Sequence, residues 1–193
     1  MITIRLMRED ERVQVSLFIR NIMRTHYHCD PHSLPQSVFI ALNGDELVGT
    51  MALIMSEGEP FPLESIYKLD YRTFPESFDR TRVVQFGRWI ATQPKISELV
   101  AYAAMRYALS EGKRWGIGEV KPKIARRYAQ IGLDIIPLGG IPHIENVPEE
   151  VRAYYFEPPQ PMPCALSLFA AVARLREKVV PFEARQGLAI MHH

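Results

Sequence analysis

Apolar positions change their period repeatedly along the first ninety residues, and each change marks an element. Ile2, Ile4 and Leu6 alternate with polar residues, the period of a half-buried strand. Val15, Phe18, Ile19, Ile22 and Met23 then recur at i, i+3, i+4, i+7 and i+8, which predicts a helix over about residues 10–24. The stretch from Thr25 to Gln36 is polar, rich in His and Pro, and reads as a loop. Ser37–Leu42 and Leu47–Met55 are predicted to be paired strands. Asn43-Gly44-Asp45 between them tolerates the positive φ that a tight hairpin demands. Gly58 and Pro60 break the chain. A helix is then predicted from Pro62, with Leu63, Ile66 and Tyr67 on one face and Tyr71 at its far end, and Pro75 ends it or opens a loop.

Thr81 to Thr92 is rich in β-branched and aromatic residues and predicts a long strand. Pro94 stands where it can open a helix, and Ile96, Leu99, Val100, Ala103, Ala104, Tyr107 and Ala108 keep a helical rhythm up to Gly112. A short strand is expected at Trp115–Val120, a helix from Pro122 to about Ile131, and a strand at Leu133–Leu138 stopped by Gly139-Gly140. Val151–Phe156 is a further strand candidate. Pro158, Pro159, Pro161 and Pro163 then interrupt the chain before a last amphipathic helix carrying Leu168, Phe169, Val172, Leu175 and Val179. This order implies an α/β (α+β) three-layer sandwich: a mixed, mostly antiparallel sheet flanked by helices, with an extra C-terminal helix.

Composition narrows the class without naming an activity. The 193 residues are 47% hydrophobic and 23% charged, which suits one large domain able to bury a core without disulfides or metal. With 23 basic and 22 acidic residues the net charge is +1, so there is no global reason to expect nucleic acid or an anionic membrane as partner. No apolar run is long enough to span about 30 Å of hydrocarbon. Cys29 and Cys164 lie far apart and form no CxxC pair, which makes a reducing cytoplasm the expected compartment. His192 and His193 close the chain and are given no role.

Three segments carry a resemblance. Ala125-Arg-Arg-Tyr-Ala-Gln-Ile-Gly-Leu133 is similar to the helix–strand junction of GNAT acyltransferases, with Tyr128 four residues before Gly132. Val84-Gln-Phe-Gly-Arg-Trp-Ile-Ala91 resembles the Glu-x-Ser-Arg segment of the acyl-homoserine lactone synthases and N-acyl amino acid synthases. Gln85 stands for the Glu, Gly87 for the Ser and Arg88 for the Arg. Asp45-Glu-Leu-Val-Gly-Thr-Met-Ala-Leu53 resembles a strand of the same families, with Ala52 where they often carry Arg. The resemblance spans roughly residues 10–140, and residues 1–140 are taken as the acyltransferase core. Residues 141–193 are expected to complete the same domain with a strand, the proline-rich connection and the last helix.

The resemblance implies acyl transfer from a thioester, on acyl-CoA or an acyl carrier protein, to a small primary amine such as an amino acid or its derivative. No permanently bound cofactor is implied. The donor would lie along Trp89, Ile90, Ala91 and Thr92 and against a helix start at Lys95 and Ser97, whose free N–H groups suit a phosphate. Arg88 would line the acceptor cleft; a salt bridge to Glu64 or Asp70 is the structural alternative. Tyr128 is the candidate acid for the leaving thiolate, unless it is simply core. Gln85 cannot serve as a carboxylate base, and Glu64 is the candidate replacement or an amine-binding group. Lys121, Lys123, Arg126 and Arg127 form a basic face that an acidic carrier protein could dock on. His26, His28, Cys29 and His32 have zinc-binding side chains without a zinc-site spacing, so no metal is expected. Two further readings of the fold remain: an ordinary acetyl-CoA-dependent N-acetyltransferase, and an inactive domain that binds acyl ligands or a partner.

Overall fold

The alternation at the start of the chain becomes β1 (Ile2–Leu6), which pairs antiparallel with β2 (Ser37–Asn43). The computed structural model describes residues 1–31, 33–74, 76–93, 95–186 and 189–190. The expectations placed on His32, Pro75, Pro94 and the final His192 and His193 fall outside those residues. Between β1 and β2 runs α1 (Arg12–Tyr27), which starts two residues later and ends three residues later than the periodicity implied, with Val15, Ile19 and Met23 buried on the sheet. The hairpin at Asn43–Asp45 returns the chain into β3 (Glu46–Met55), which pairs with β4 (Val83–Ala91). With β5 (Trp115–Val120), β6 (Ile136–Pro137), β7 (Met162–Ser167) and β8 (Ala189–Ile190), the sheet has eight strands among the described residues, in the order β6-β7-β5-β4-β3-β2-β1-β8. Only the β4–β5 and β1–β8 pairs are parallel.

Helix α3 (Ile96–Ser110) lies across one face of the sheet. Its alanines at 101, 103, 104 and 108 are fully buried, so the helix axis comes close to the strands. The approach is tightest at Gly49, where an added Cβ would stand 2.5 Å from Ile96 Cγ2, so this strand position must lack a side chain. The last helix, α6 (Leu168–Gln186), packs beside α3 and adds Leu168, Leu175 and Val179 to the same core. The opposite face carries α1 and the short α2 (Pro62–Ile66), giving the three-layer sandwich of a GNAT-like fold.

Several elements differ from the sequence-based expectation. Helix α2 stops at Ile66, and Tyr71 opens a separate 3-10 turn. The β-prone segment at 151–156 is no strand: it forms α5 (Arg152–Phe156), in which Tyr155 is buried and Tyr154 meets Tyr27 of α1 edge to face. Tertiary packing of the two tyrosines overrides their strand propensity. The missing strand is β7 (Met162–Ser167), immediately after the prolines, which sits between β5 (Trp115–Val120) and the two-residue β6 (Ile136–Pro137). Pro163 cannot donate to the ladder, but its carbonyl still accepts the Leu138 N–H at 3.0 Å. β8 (Ala189–Ile190), unanticipated, pairs with β1.

Candidate active site

Strands β4 and β5 share only Val83–Gln85 against Trp115–Ile117. Beyond those pairs they diverge, although β4 continues to Ala91 and β5 to Val120. The divergence frees main-chain donors and acceptors on both facing edges. A cleft of about 770 Å³ opens there, walled by α1, α5 and the helix α4 (Pro122–Gln130).

The mouth of the fork is shaped by a bulge. β3 pairs Thr50 with Ile90 but Ala52 with Gly87, so β4 holds one extra residue. Arg88 absorbs it with φ 51°, a left-handed conformation that costs a non-glycine residue about 1–2 kcal/mol. The fully buried Thr50 holds it there by donating its hydroxyl to the Arg88 carbonyl at 2.8 Å. The Arg88 side chain lines the cleft. Neither expected ion-pair partner takes it: Glu64 is paired with Arg80 and Asp70 with Arg72. Among the described residues its guanidinium makes no hydrogen bond or ion pair.

Gln85 is buried, and its side-chain oxygen accepts the Leu63 N–H at 2.9 Å, fixing the start of α2 at the cleft wall. Glu64 does not line the cleft. Both its oxygens are held by Arg80 and by the Phe61 N–H. Burial pushes its carboxyl up, but the hydrogen bonds from Arg80 and the Phe61 N–H hold it below the usual range. A carboxylate so engaged is ill suited to take a proton.

On the α3 and α4 side, Trp89 and Tyr128 stack with centroids 4.3 Å apart and form one wall. Trp89 Nε1 donates to the Ser97 carbonyl at 3.1 Å, tying that wall to the start of α3. Burial pushes the Tyr128 phenol well above its ordinary value, so it stays protonated. Ile90, Ala91 and Thr92 line the cleft, although Thr92 spends both its N–H and its hydroxyl on the Val48 carbonyl. Lys95 precedes α3 in a left-handed conformation and lies outside the lining, while Ser97 is inside it.

The four basic residues near α4 separate. Lys121 turns into the cleft, its Nζ 4.9 Å from the Tyr154 ring centre and 3.1 Å from the Glu157 carbonyl. Arg127 reaches the rim, and Lys123 and Arg126 are exposed outside it. The His-rich loop separates too. His26 lines the cleft, His28 closes α1 at φ 52°, and Cys29 is buried. Among the described residues no three His, Cys, Asp or Glu side chains could hold a metal ion.

Sequence reasoning missed Glu119. It projects into the cleft from β5 on the same strand face as the buried Ile117, and Tyr155 Oη donates to its Oε1 at 2.9 Å. Burial pushes its carboxyl up; the Tyr155 hydrogen bond and the Arg88 charge oppose that. Its signal was a lone carboxylate at an inward position of the strand Trp-Gly-Ile-Gly-Glu-Val.

A three-layer sandwich whose parallel strand pair splays beyond a bulge in β4, with a helix start beside the gap, is the arrangement of the GNAT-like fold. The sequence model of the family described as "FeeM: N-acyl amino acid synthase FeeM" matches residues 7–141, and the chain belongs to that family of N-acyltransferases. Among solved structures, it is similar to a CoA-dependent acyl-homoserine lactone synthase, BjaI, with SAM and isopentyl-CoA. The identity is 12% and the TM-score 0.65, covering 100% of this chain and 94% of that one. FeeM, an N-acyl amino acid synthase from uncultured soil microbes, superposes at TM-score 0.65 with 17% identity, over 90% of this chain and 96% of that one. An acetyltransferase of the GNAT family from Staphylococcus aureus Mu50 matches at TM-score 0.54 and 12% identity, over 87% and 99% of the two chains. No curated protein matches the sequence.

Proposed function

We propose that the protein transfers an acyl group from a pantetheine thioester, carried by CoA or an acyl carrier protein, to the α-amine of an amino acid or amino-acid derivative. The observation that carries this reading is the Arg88 guanidinium at the mouth of the β4–β5 fork, which among the described residues makes no hydrogen bond or ion pair. A planar, permanently charged fork of donors suits the carboxylate of an amino acid. The freed edge of β4 suits the amides of a pantetheine arm, and the start of α3 beside Trp89 suits a phosphate. The Trp89–Tyr128 wall offers an apolar surface to the arm, and the protonated Tyr128 phenol can stabilise the departing sulfur. Exposed Lys123 and Arg126 offer an acidic carrier protein a docking rim.

The free, buried cysteines support a reducing cytoplasm as its compartment, and among the described residues no helix is long and apolar enough to cross a membrane. Free-thiol release, measured across acetyl, medium and long acyl donors on CoA and on carrier protein, tests the assignment. Amino acids are expected to outperform their amides and simple amines. Arg88→Ala is expected to raise KM for the amino acid more than for the thioester. Equal use of acceptors with and without a carboxylate would overturn the reading.

A further inference from the structure

Amide formation at this site has an unmet requirement. An amino acid arrives as an ammonium, and its nitrogen attacks a thioester only after losing a proton. Gln85, at the position where the resembled motif has Glu, carries no carboxylate and is bonded to Leu63. Glu64 is locked to Arg80 outside the cleft. Of the carboxylates lining the cleft, Glu150 is exposed on a short 3-10 turn at the rim. Glu119 stands two residues beyond the last β4–β5 pair, where the strands part.

We infer that Glu119 is the general base of the reaction and that Tyr155 is its positioning residue; this rests on the acyl-transfer reading above. Tyr155 Oη occupies Oε1 at 2.9 Å and leaves Oε2 to the substrate. The inward face of β5 carries the carboxylate, and Gly116 and Gly118 on either side of Ile117 present no side chain to the other face of the fork. The ionisable groups around Glu119 are Arg88 on β4, Tyr67 after α2, Tyr154 and Tyr155 on α5 and Cys164 on β7. All but Arg88 are neutral acids whose own ionisation is pushed upward, so the Tyr155 hydrogen bond and the Arg88 charge are what favour the ionised carboxylate. Burial works the other way and makes it a stronger base than an ordinary carboxylate.

The step balances. The ammonium gives one proton to Glu119, the freed nitrogen pair forms the C–N bond, and the C–S bond breaks with its pair on sulfur. The second nitrogen proton passes to the thiolate, giving free thiol and amide. Glu119 then releases its proton to water.

The test is thiol release against pH, with acyl-CoA and acylated carrier protein as donors and an amino acid as acceptor. Glu119→Gln keeps the shape and is expected to lower kcat at least 100-fold at neutral pH. The thermal shift given by acyl-CoA should be unchanged. Its residual rate should climb with pH as the acceptor amine deprotonates itself. Tyr155→Phe removes a bond that favours the ionised carboxylate, so the acidic limb should move to higher pH while the rate at alkaline pH is retained. A merely structural Tyr155 would leave that limb in place. Wild-type kcat in Glu119→Gln overturns the base; so does an unshifted limb in Tyr155→Phe, which decides the matter if Glu119→Gln does not fold. Absence of wild-type turnover with every donor and acceptor overturns the acyl-transfer reading and the base together, whereas the variant results overturn the base alone.

Discussion

The Thr50 hydroxyl donates to the Arg88 carbonyl at 2.8 Å, across the one point where β3 and β4 fall out of register. A buried threonine on one strand thereby holds a left-handed arginine on the next, at the mouth of the fork. Thr50→Val keeps the volume and leaves the Arg88 carbonyl without that donor. Stability should fall by about 1–3 kcal/mol, the cost of an unpaired buried acceptor. Turnover should fall with it, because the bulge is free to relax. Thr50→Ser should restore both in large part. Thermal melting and thiol release on the three proteins check the link; turnover unchanged in Thr50→Val would separate the bulge from activity.

Arg88 should matter for chemistry and count against stability. Arg88→Gly removes the charge and relieves a positive φ, so it should melt at or slightly above the wild-type temperature while losing the acceptor. Arg88→Ala keeps the strain and should melt near wild type with similar loss of activity. Arg88→Lys keeps a charge but not the planar fork of donors, and intermediate activity is expected. A large melting loss in Arg88→Gly with turnover retained would show a structural residue.

Gly116 faces the Phe86 ring, and an added Cβ would collide with it. Gly116→Ala should therefore cost about 1–3 kcal/mol as overpacking. Phe86→Leu should recover much of that in the double variant, giving a coupling energy that a thermodynamic cycle reads directly. Because Phe86 also lines the cleft, Phe86→Ala should extend the range of acyl chains accepted.

Lys123 and Arg126 are exposed beside the cleft and not part of its lining. Reversing both to Glu should raise KM for an acylated carrier protein, strongly at low salt and weakly at high salt, because rim charges act on association and are screened. A small pantetheine thioester should be used almost as before. Equal effects on both donors would place the two residues in donor contact and not in carrier docking.

Glu11 anchors the acid limb of stability. Arg5 donates to it at 2.7 Å, and that bond, outweighing the cost of burial, holds its carboxyl at about 2. A carboxylate depressed in the folded state stabilises at neutral pH, and its contribution is lost as the pH falls from about 4.5 toward about 2. Glu11→Gln should lower the melting temperature at pH 7 and flatten its decline over that window. A parallel downward shift at every pH would contradict the linkage.

The local pattern was readable wherever one residue's role depends on its near neighbours. The helical rhythm of α3, the hairpin glycine at 44 and the amphipathic start of α6 follow from periodicity and turn chemistry. The resemblance singled out Arg88, Trp89 and Tyr128 for separate roles before any coordinates, and all three line the cleft. Propensity misled at 151–156, where tyrosines that favour strands are instead packed as a helical turn against Tyr27 and Tyr67. It also missed β7, whose prolines read as a break although the strand receives its partners from β5 and β6, far away in sequence.

The sequence by itself determined the alternation of strands and helices, the near-neutral charge and the family to which its motifs belong, because these depend on spacing and composition. Which carboxylate faces the fork was decided only by the tertiary structure. Glu64 looked available as the replacement for Gln85, but Arg80 claims it across 16 residues of chain, and Gln85 itself is bonded to Leu63 across 22. Glu119 looked like one charge in a short strand until β4 and β5 diverged around it and Tyr155 arrived from 36 residues away. Proton affinity is set by burial and by partners, and partners distant in sequence meet only when the chain has folded.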